Sequence, residues 1–168
     1  MILIRDDIMN VHIGFSYIGC IFLIMLMVPN LIWTKHKPKD YEKYVGNENK
    51  LLLSFERIGQ VLVTCFVLLF DDFNINTYSY QTILLLAAFL FMLLYEWFWI
   101  RYFKSEQTMK DYYGKLLGIP VPGAVLPIIA FILLALYGHN LFLLAAVILL
   151  GVGHIGIHLQ HQKEAATL

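Results

Sequence analysis

The sequence predicts an all-α polytopic integral membrane protein, with five transmembrane helices in one membrane domain that covers residues 1–168. Composition supports this class: the 168 residues are 60% apolar and only 14% charged, whereas a soluble domain is about 25% charged. The apolar residues form runs that approach or exceed the ~20 residues needed to cross a hydrocarbon core about 30 Å thick. Lys and Arg residues concentrate in alternate connections between these runs.

The predicted spans are residues 11–33, 51–70, 81–100, 119–137 and 141–159. Each is expected to be helical, because the hydrocarbon core offers no water to the backbone groups. The first span is interpreted as retained rather than cleaved, since its apolar run is long for a signal peptide and Lys35, Lys37 and Lys39 follow it directly. The sequence does not decide whether residues 1–8 belong to the native protein, because Met9 is an equally good start.

The connecting segments predict the orientation. Residues 34–50 contain five lysines and residues 101–118 contain four Lys or Arg, whereas residues 71–80 and 138–140 contain none. Short connections rich in Lys and Arg stay in the cytoplasm. The N-terminus is therefore expected outside and the C-terminus in the cytoplasm, with Arg5 as the exception.

Polar residues inside the spans are the candidate binding residues, because a charge at membrane depth costs several kcal/mol unless it is paired or wetted. Glu56 and Gln60 share one face of the second span by their i, i+4 spacing. Arg57 is expected to pair with Glu96 of the third span, and a purely structural salt bridge is the alternative. The predicted ligand-binding set is Glu56, Arg57, Gln60, Glu96, Trp99, His154 and His158.

Three histidines end the fifth span with i, i+4, i+7 spacing: His154, His158 and His161. Imidazoles at this spacing share a helix face and can ligate a metal or haem. The signal is weak, because the glutamate that zinc-binding helices carry between two histidines is replaced by Ile155, Gly156 and Ile157. The glycine pattern at 151–156 is not a nucleotide site, since it lies inside an apolar helix rather than after a strand. It is expected to let another helix approach closely.

Other features narrow the class of function. Pro29, Pro120 and Pro127 are expected to interrupt helical hydrogen bonding. Cys20 and Cys65 are interpreted as packing residues. The net charge is zero and no basic tail occurs, so a nucleic-acid partner has no support. The sequence contains no motif for acyl transfer, nucleotide hydrolysis or thiol–disulfide exchange.

Three segments together resemble a group of small, multi-pass bacterial membrane proteins of unassigned function: Pro29-Asn30-x-x-Trp33-x-Lys35-x-Lys37-Pro38-x-x-Tyr41, Phe55-Glu56-Arg57-Ile58-Gly59-Gln60 and Gly153-His154-Ile155-Gly156-Ile157-His158. The resemblance covers nearly the whole chain and implies the bacterial inner membrane as the location. It implies a lineage and no activity.

Three hypotheses of function follow. The first is a protein that binds or moves a small amphipathic or anionic ligand in a polar site facing the cytoplasmic leaflet. The second is a membrane-embedded metal- or haem-dependent enzyme acting on a lipid-like substrate, with His154 and His158 as ligands and Glu56 or Glu96 as the acid–base group. The third is a structural subunit of a membrane complex. Cofactor and oligomeric state, homo-oligomers included, are left open.

Overall fold

The computed structural model describes residues 11–39, 41–43, 48–75 and 80–166. In this part of the chain the regular elements are helices, and extended contacts are limited to single bridges. The α-helices are α1 (Tyr17–Trp33), α2 (Lys50–Leu69), α3 (Thr82–Phe103), α4 (Met109–Tyr113), α5 (Pro122–Tyr137) and α6 (Leu141–Ala166). Short 3₁₀ turns lie at Tyr41–Lys43 and Asp71–Phe73. Arg5, the exception in the predicted orientation, and Met9, the alternative start, lie outside the described residues.

Side-chain caps begin four of the helices, because the first N–H groups of a helix have no partner within it. Ser16 Oγ accepts a hydrogen bond from Gly19 N at 2.8 Å, and Asn49 Oδ1 accepts one from Leu51 N at 2.9 Å. Asn140 Oδ1 accepts from Leu143 N at 2.9 Å and caps α6. A capping box of Thr108 and Asp111 begins α4. The hydrogen bonds from Thr108 hold the pKa of the Asp111 carboxyl below its ordinary value.

Three of the helices, α2, α3 and α6, are long and apolar enough to cross a membrane. The other two apolar helices, α1 and α5, have 17 and 16 residues. At 1.5 Å per residue, 16 residues extend about 24 Å. The predicted boundaries shift accordingly: the first and fourth spans are shorter than expected, and the third and fifth helices continue beyond residues 100 and 159.

The five apolar helices α1, α2, α3, α5 and α6 form a ring. α2 packs most extensively on α6, α6 on α5, and α5 on α3, while α1 contacts both α2 and α3 and closes the ring. Glycines permit a close contact between α2 and α6: a Cβ atom on Gly59 would lie 2.6 Å from Leu150 N, and one on Gly153 would lie 2.4 Å from Glu56 N. The small-residue contact expected from the glycine pattern is therefore present, and it joins α6 to α2.

The two ends of the bundle differ in charge. We call the end that carries Asp71 and Asp72 the acidic end. There the residues that precede α1 lie beside the last residues of α2, and Gly14 N donates to Leu69 O at 2.9 Å. Asp72 accepts hydrogen bonds there from His12 and from Asn140, which ties both neighbouring segments together. The opposite end, the basic end, carries Lys35, Lys50, Lys104 and Lys163. α4 lies at the basic end and packs on α6 and α5.

Gly153→Ala is expected to lower the free energy of unfolding by about 1–3 kcal/mol, because the new methyl group overlaps the backbone of α2. Gly156→Ala is the matched control: its new methyl group meets only the flexible side chain of Leu52, at 2.9 Å. The measurement is unfolding in mixed detergent–SDS micelles. Equal effects of the two substitutions would contradict the close approach of α2 and α6.

Candidate functional site

A cavity of about 140 Å³ lies in the middle of the helix ring. All five apolar helices of the ring contribute to its wall, together with Tyr112 of α4. Its lining residues are Leu26, Asn30, Gln60, Val63, Tyr95, Trp99, Tyr112, Gly123, Pro127, Ile128, Phe131, Leu150, His154 and His158. A mainly apolar wall with a few polar groups is typical of sites for small molecules.

The contact between α2 and α6 brings Glu56 and His154 together. Because Gly153 lies against the backbone of Glu56, the next residue, His154, reaches the Glu56 carboxylate. His154 Nδ1 and Glu56 Oε1 are 2.5 Å apart, and the side chains are 22% and 15% exposed. A carboxylate that accepts a hydrogen bond from Nδ1 leaves the other imidazole nitrogen, Nε2, available. Since His154 lines the cavity, Nε2 is the nitrogen that a bound molecule can use.

Three polar side chains that line the cavity have no hydrogen-bond partner of normal geometry among the described residues. Trp99 Nε1 is fully buried and unsatisfied. Gln60 and His158 also line the wall and make no hydrogen bond to a described residue, although His158 contacts the rings of Tyr112 and Tyr113. An unsatisfied buried donor is costly, so the Trp99 indole N–H would gain from a polar group in this space. Gln60 is exposed and His158 is half-buried, so neither carries the same cost.

The wall opposite His154 is formed by a pair that the sequence analysis did not identify. Asn30 Nδ2 donates to Tyr95 Oη at 2.7 Å and to Leu26 O at 2.6 Å. The available signal was an amide directly after Pro29 within an apolar span. Pro127 and Gly123 also line the cavity. Because Pro127 has no N–H, the carbonyl of Gly123 lacks its helical donor and is a further acceptor in the wall.

The cavity opens between α1 and α2. Asn30 of α1 and Gln60 of α2 both line it and are both exposed. The two helices meet closely at the acidic end, where a Cβ atom on Gly19 would lie 1.9 Å from Val67 O. The opening therefore lies on the side of the bundle, away from that contact.

Three predicted binding residues, Glu56, Arg57 and Glu96, are not among the residues that line the cavity. Glu56 is joined to the wall through its contact with His154, whereas Arg57 and Glu96 have no such link. Arg57 is exposed and Glu96 is half-buried, and no ion pair joins them to each other or to another described residue. Their expected pairing is wrong, because α1 lies between α2 and α3 on one side of the ring and α5 and α6 lie between them on the other. Arg57 directly follows Glu56, and Glu96 directly follows Tyr95, and both preceding side chains face inward. Because consecutive residues are about 100° apart around a helix, Arg57 and Glu96 point in other directions.

The three histidines do not converge on one metal position. His161 turns to Tyr113 and Glu48, with Nδ1 2.9 Å from Tyr113 Oη. Within the described residues, the group whose ligand atoms lie within 4.8 Å of one another is His12, Asp71 and Asp72, at the acidic end. There His12 is largely exposed, and Asp72 is already bonded to His12 and Asn140. The geometry thus gives no support to a metal held by His154, His158 and His161.

Comparison with protein-family models, with curated proteins and with solved structures found no match. The resemblance to small bacterial multi-pass proteins therefore stays a prediction.

Glu56→Leu and His154→Leu are expected to be non-additive in the free energy of unfolding, with a coupling of about 0.5–3 kcal/mol, because each substitution removes the same hydrogen bond. A double-mutant cycle in mixed micelles measures this coupling. Arg57→Gln combined with His154→Leu is the control pair, and it should be additive, since Arg57 is exposed. Additivity in the Glu56 cycle would show that the contact does not form.

Proposed function

We propose that this protein binds a small amphipathic molecule in its central cavity, and that the molecule comes from the membrane leaflet at the basic end. The observation that carries the proposal is the buried Trp99 Nε1, which has no hydrogen-bond partner among the described residues, on a cavity wall that also includes the polar side chains of Gln60 and His158. A ligand with a hydrogen-bonding head would satisfy this donor, and the apolar remainder of the wall would hold its body.

The size of the cavity limits the part of the ligand that it encloses. A volume of about 140 Å³ is close to that of cavities that hold one benzene molecule, about 150 Å³. A single ring or a head of similar size therefore fits, and a longer tail would leave through the opening between α1 and α2. A haem is too large for this volume.

The charges on the wall favour an amphipathic ligand over an anionic one. Neither Lys nor Arg is among the lining residues, and Arg101 instead donates to Lys115 O at 2.8 Å and Gly114 O at 3.1 Å. The donors that face the cavity are amide, indole and imidazole groups, which suit a neutral hydroxyl or carbonyl.

The membrane setting of the proposal is a bacterial inner membrane crossed by five helices, with the N-terminus outside and the C-terminus in the cytoplasm. The distribution of Lys and Arg over the connections supports this orientation. α1 and α5 are included as spans although they are short, because they complete the ring and are strongly apolar. In this arrangement the cavity opening faces lipid.

Loss of one cavity donor is expected to lower ligand occupancy by about two- to tenfold, the effect of one hydrogen bond. Trp99→Phe removes Nε1 with little change of shape, and Gln60→Leu removes the amide. Trp97→Phe is the matched control, because Trp97 lies two residues away and is exposed. Native mass spectrometry of protein extracted with its lipids measures the occupancy.

The proposal is supported if a molecule co-purifies with the unsubstituted protein and with Trp97→Phe but is depleted in both cavity variants. Equal retention in all forms would place the molecule outside the cavity. A fixed protein partner without any bound small molecule would favour the structural-subunit hypothesis instead.

The topology is tested with single cysteines in a variant that lacks Cys20 and Cys65. We expect a membrane-impermeant maleimide to label Tyr80→Cys and His139→Cys from outside, and Lys35→Cys and Lys110→Cys from the cytoplasmic face. All four positions are exposed. Labelling of His139→Cys from the cytoplasmic side would show that α5 does not cross the membrane.

A further inference from the structure

A buried histidine at the basic end connects the surface to the side of the cavity. His161 is 2% exposed and Glu48, beside it, is 18% exposed, with Nε2 and Oε1 3.5 Å apart. The other imidazole nitrogen, Nδ1, lies 2.9 Å from Tyr113 Oη. Both nitrogens of His161 are thus next to a group that carries or accepts a proton, although Nε2 makes no hydrogen bond of normal geometry with a described residue.

The same series of contacts continues inward to Glu56. The ring of Tyr113 lies 5.7 Å from that of His158, and the rings of His158 and His154 are 4.4 Å apart, centroid to centroid. His154 then bonds to Glu56 at 2.5 Å. A carboxylate therefore lies at each end of the series, with one near the surface and the other beside the cavity.

We infer that Glu48, His161, Tyr113, His158 and His154 form a proton path that links the basic-end surface to the cavity. The inference deepens the proposed binding function, since a ligand at His154 Nε2 would exchange its proton with the surface through this path. Titratable side chains in series within an apolar bundle are the arrangement found in proton relays.

The transfer changes only O–H and N–H bonds. A proton from solution binds the Glu48 carboxylate, which passes it to His161 Nε2, and His161 releases its Nδ1 proton to Tyr113 Oη. Tyr113 gives its own hydroxyl proton to His158 through a bridging water, because the two side chains are in ring contact without a direct hydrogen bond. His158 then passes a proton on to His154 Nε2, directly or through water in the cavity. A volume of about 140 Å³ holds about four waters at ~30 Å³ each. One proton has then left solution, His154 is an imidazolium beside the Glu56 carboxylate, and no electron has moved. Reversal of the tautomers and of the Tyr113 hydroxyl resets the path.

The groups that surround the path are consistent with a relay through neutral phenols. Tyr113 of α4 and Tyr41 of the 3₁₀ turn face His161. Tyr112 and Tyr113 face His158, and Glu56 of α2 faces His154.

Burial raises the pKa of the Tyr41 hydroxyl to about 12, with Glu48 and Glu56 adding to the effect. Burial likewise raises the pKa of Tyr113, followed by the influence of Tyr41 and Glu48. Tyr113 therefore passes a proton by reorienting its hydroxyl and does not ionise.

The test measures proton exchange between water and the imidazoles of the complete, unliganded protein in lipid nanodiscs, by NMR of ¹⁵N-labelled histidine. Tyr113→Phe and Glu48→Gln are each expected to slow exchange at His154 and His158 by about tenfold, the effect of removing one proton-transfer step. Tyr41→Phe is the matched control: it removes the same phenol oxygen from a ring that also contacts His161, with centroids 6.4 Å apart. Exposed His12 and His36 serve as internal references.

Slower exchange at His154 and His158 in both path variants, with normal exchange in Tyr41→Phe and at the reference histidines, would establish the path. Unchanged exchange in Tyr113→Phe would show that protons reach His154 through the opening between α1 and α2, and it would overturn the inference. If Tyr113→Phe does not fold, Glu48→Gln decides alone, because Glu48 precedes α2 and is partly exposed. No ligand is added, so this result is independent of whether the cavity retains an amphipathic molecule.

Discussion

The backbone contact between α2 and α6 is the interaction on which the site depends. Gly59 and Gly153 leave no room for a Cβ atom between the two helices, so the helices approach more closely than side chains would permit. This close approach places His154 at the same level along the bundle as Glu56, and it determines which face of α6 lines the cavity. The remaining helices complete the ring, since α5 packs on α6, α3 on α5, and α1 on both α2 and α3.

Polar groups inside this apolar bundle differ in whether they have hydrogen-bond partners. Most find partners: Asn30 with Tyr95, His154 with Glu56, and Tyr102 Oη with His36 O at 2.7 Å. Trp99 Nε1 lines the cavity without such a partner among the described residues, whereas two other unsatisfied buried atoms, Trp33 Nε1 and His161 Nε2, lie outside it. Because an unsatisfied donor in a low-dielectric interior is costly, the Trp99 indole N–H is the group on the cavity wall that gains most from a polar partner.

The sequence predicted much of the fold but only part of the site. Hydropathy found the apolar helices, but their ends moved by up to two turns. The first helix begins at Tyr17 rather than at residue 11 because Ser16 caps it, and the last helix continues past residue 159 to Ala166. Gln60, Trp99, His154 and His158 do line one cavity. Arg57 and Glu96 do not pair, and Asn30 was missed, because helical spacing gives the angle between residues on one helix but not the helix that each face meets.

The sequence by itself determined that this chain forms apolar helices, three of them long and apolar enough to cross a membrane, and that its charges collect in the connections. These properties follow from the partition of each segment between water and hydrocarbon, which does not depend on the other segments. Only the tertiary structure decided the order of the helices in the ring. That order depends on shape complementarity at small residues such as Gly153, and it alone brought Glu56 to His154 and His161 to Glu48.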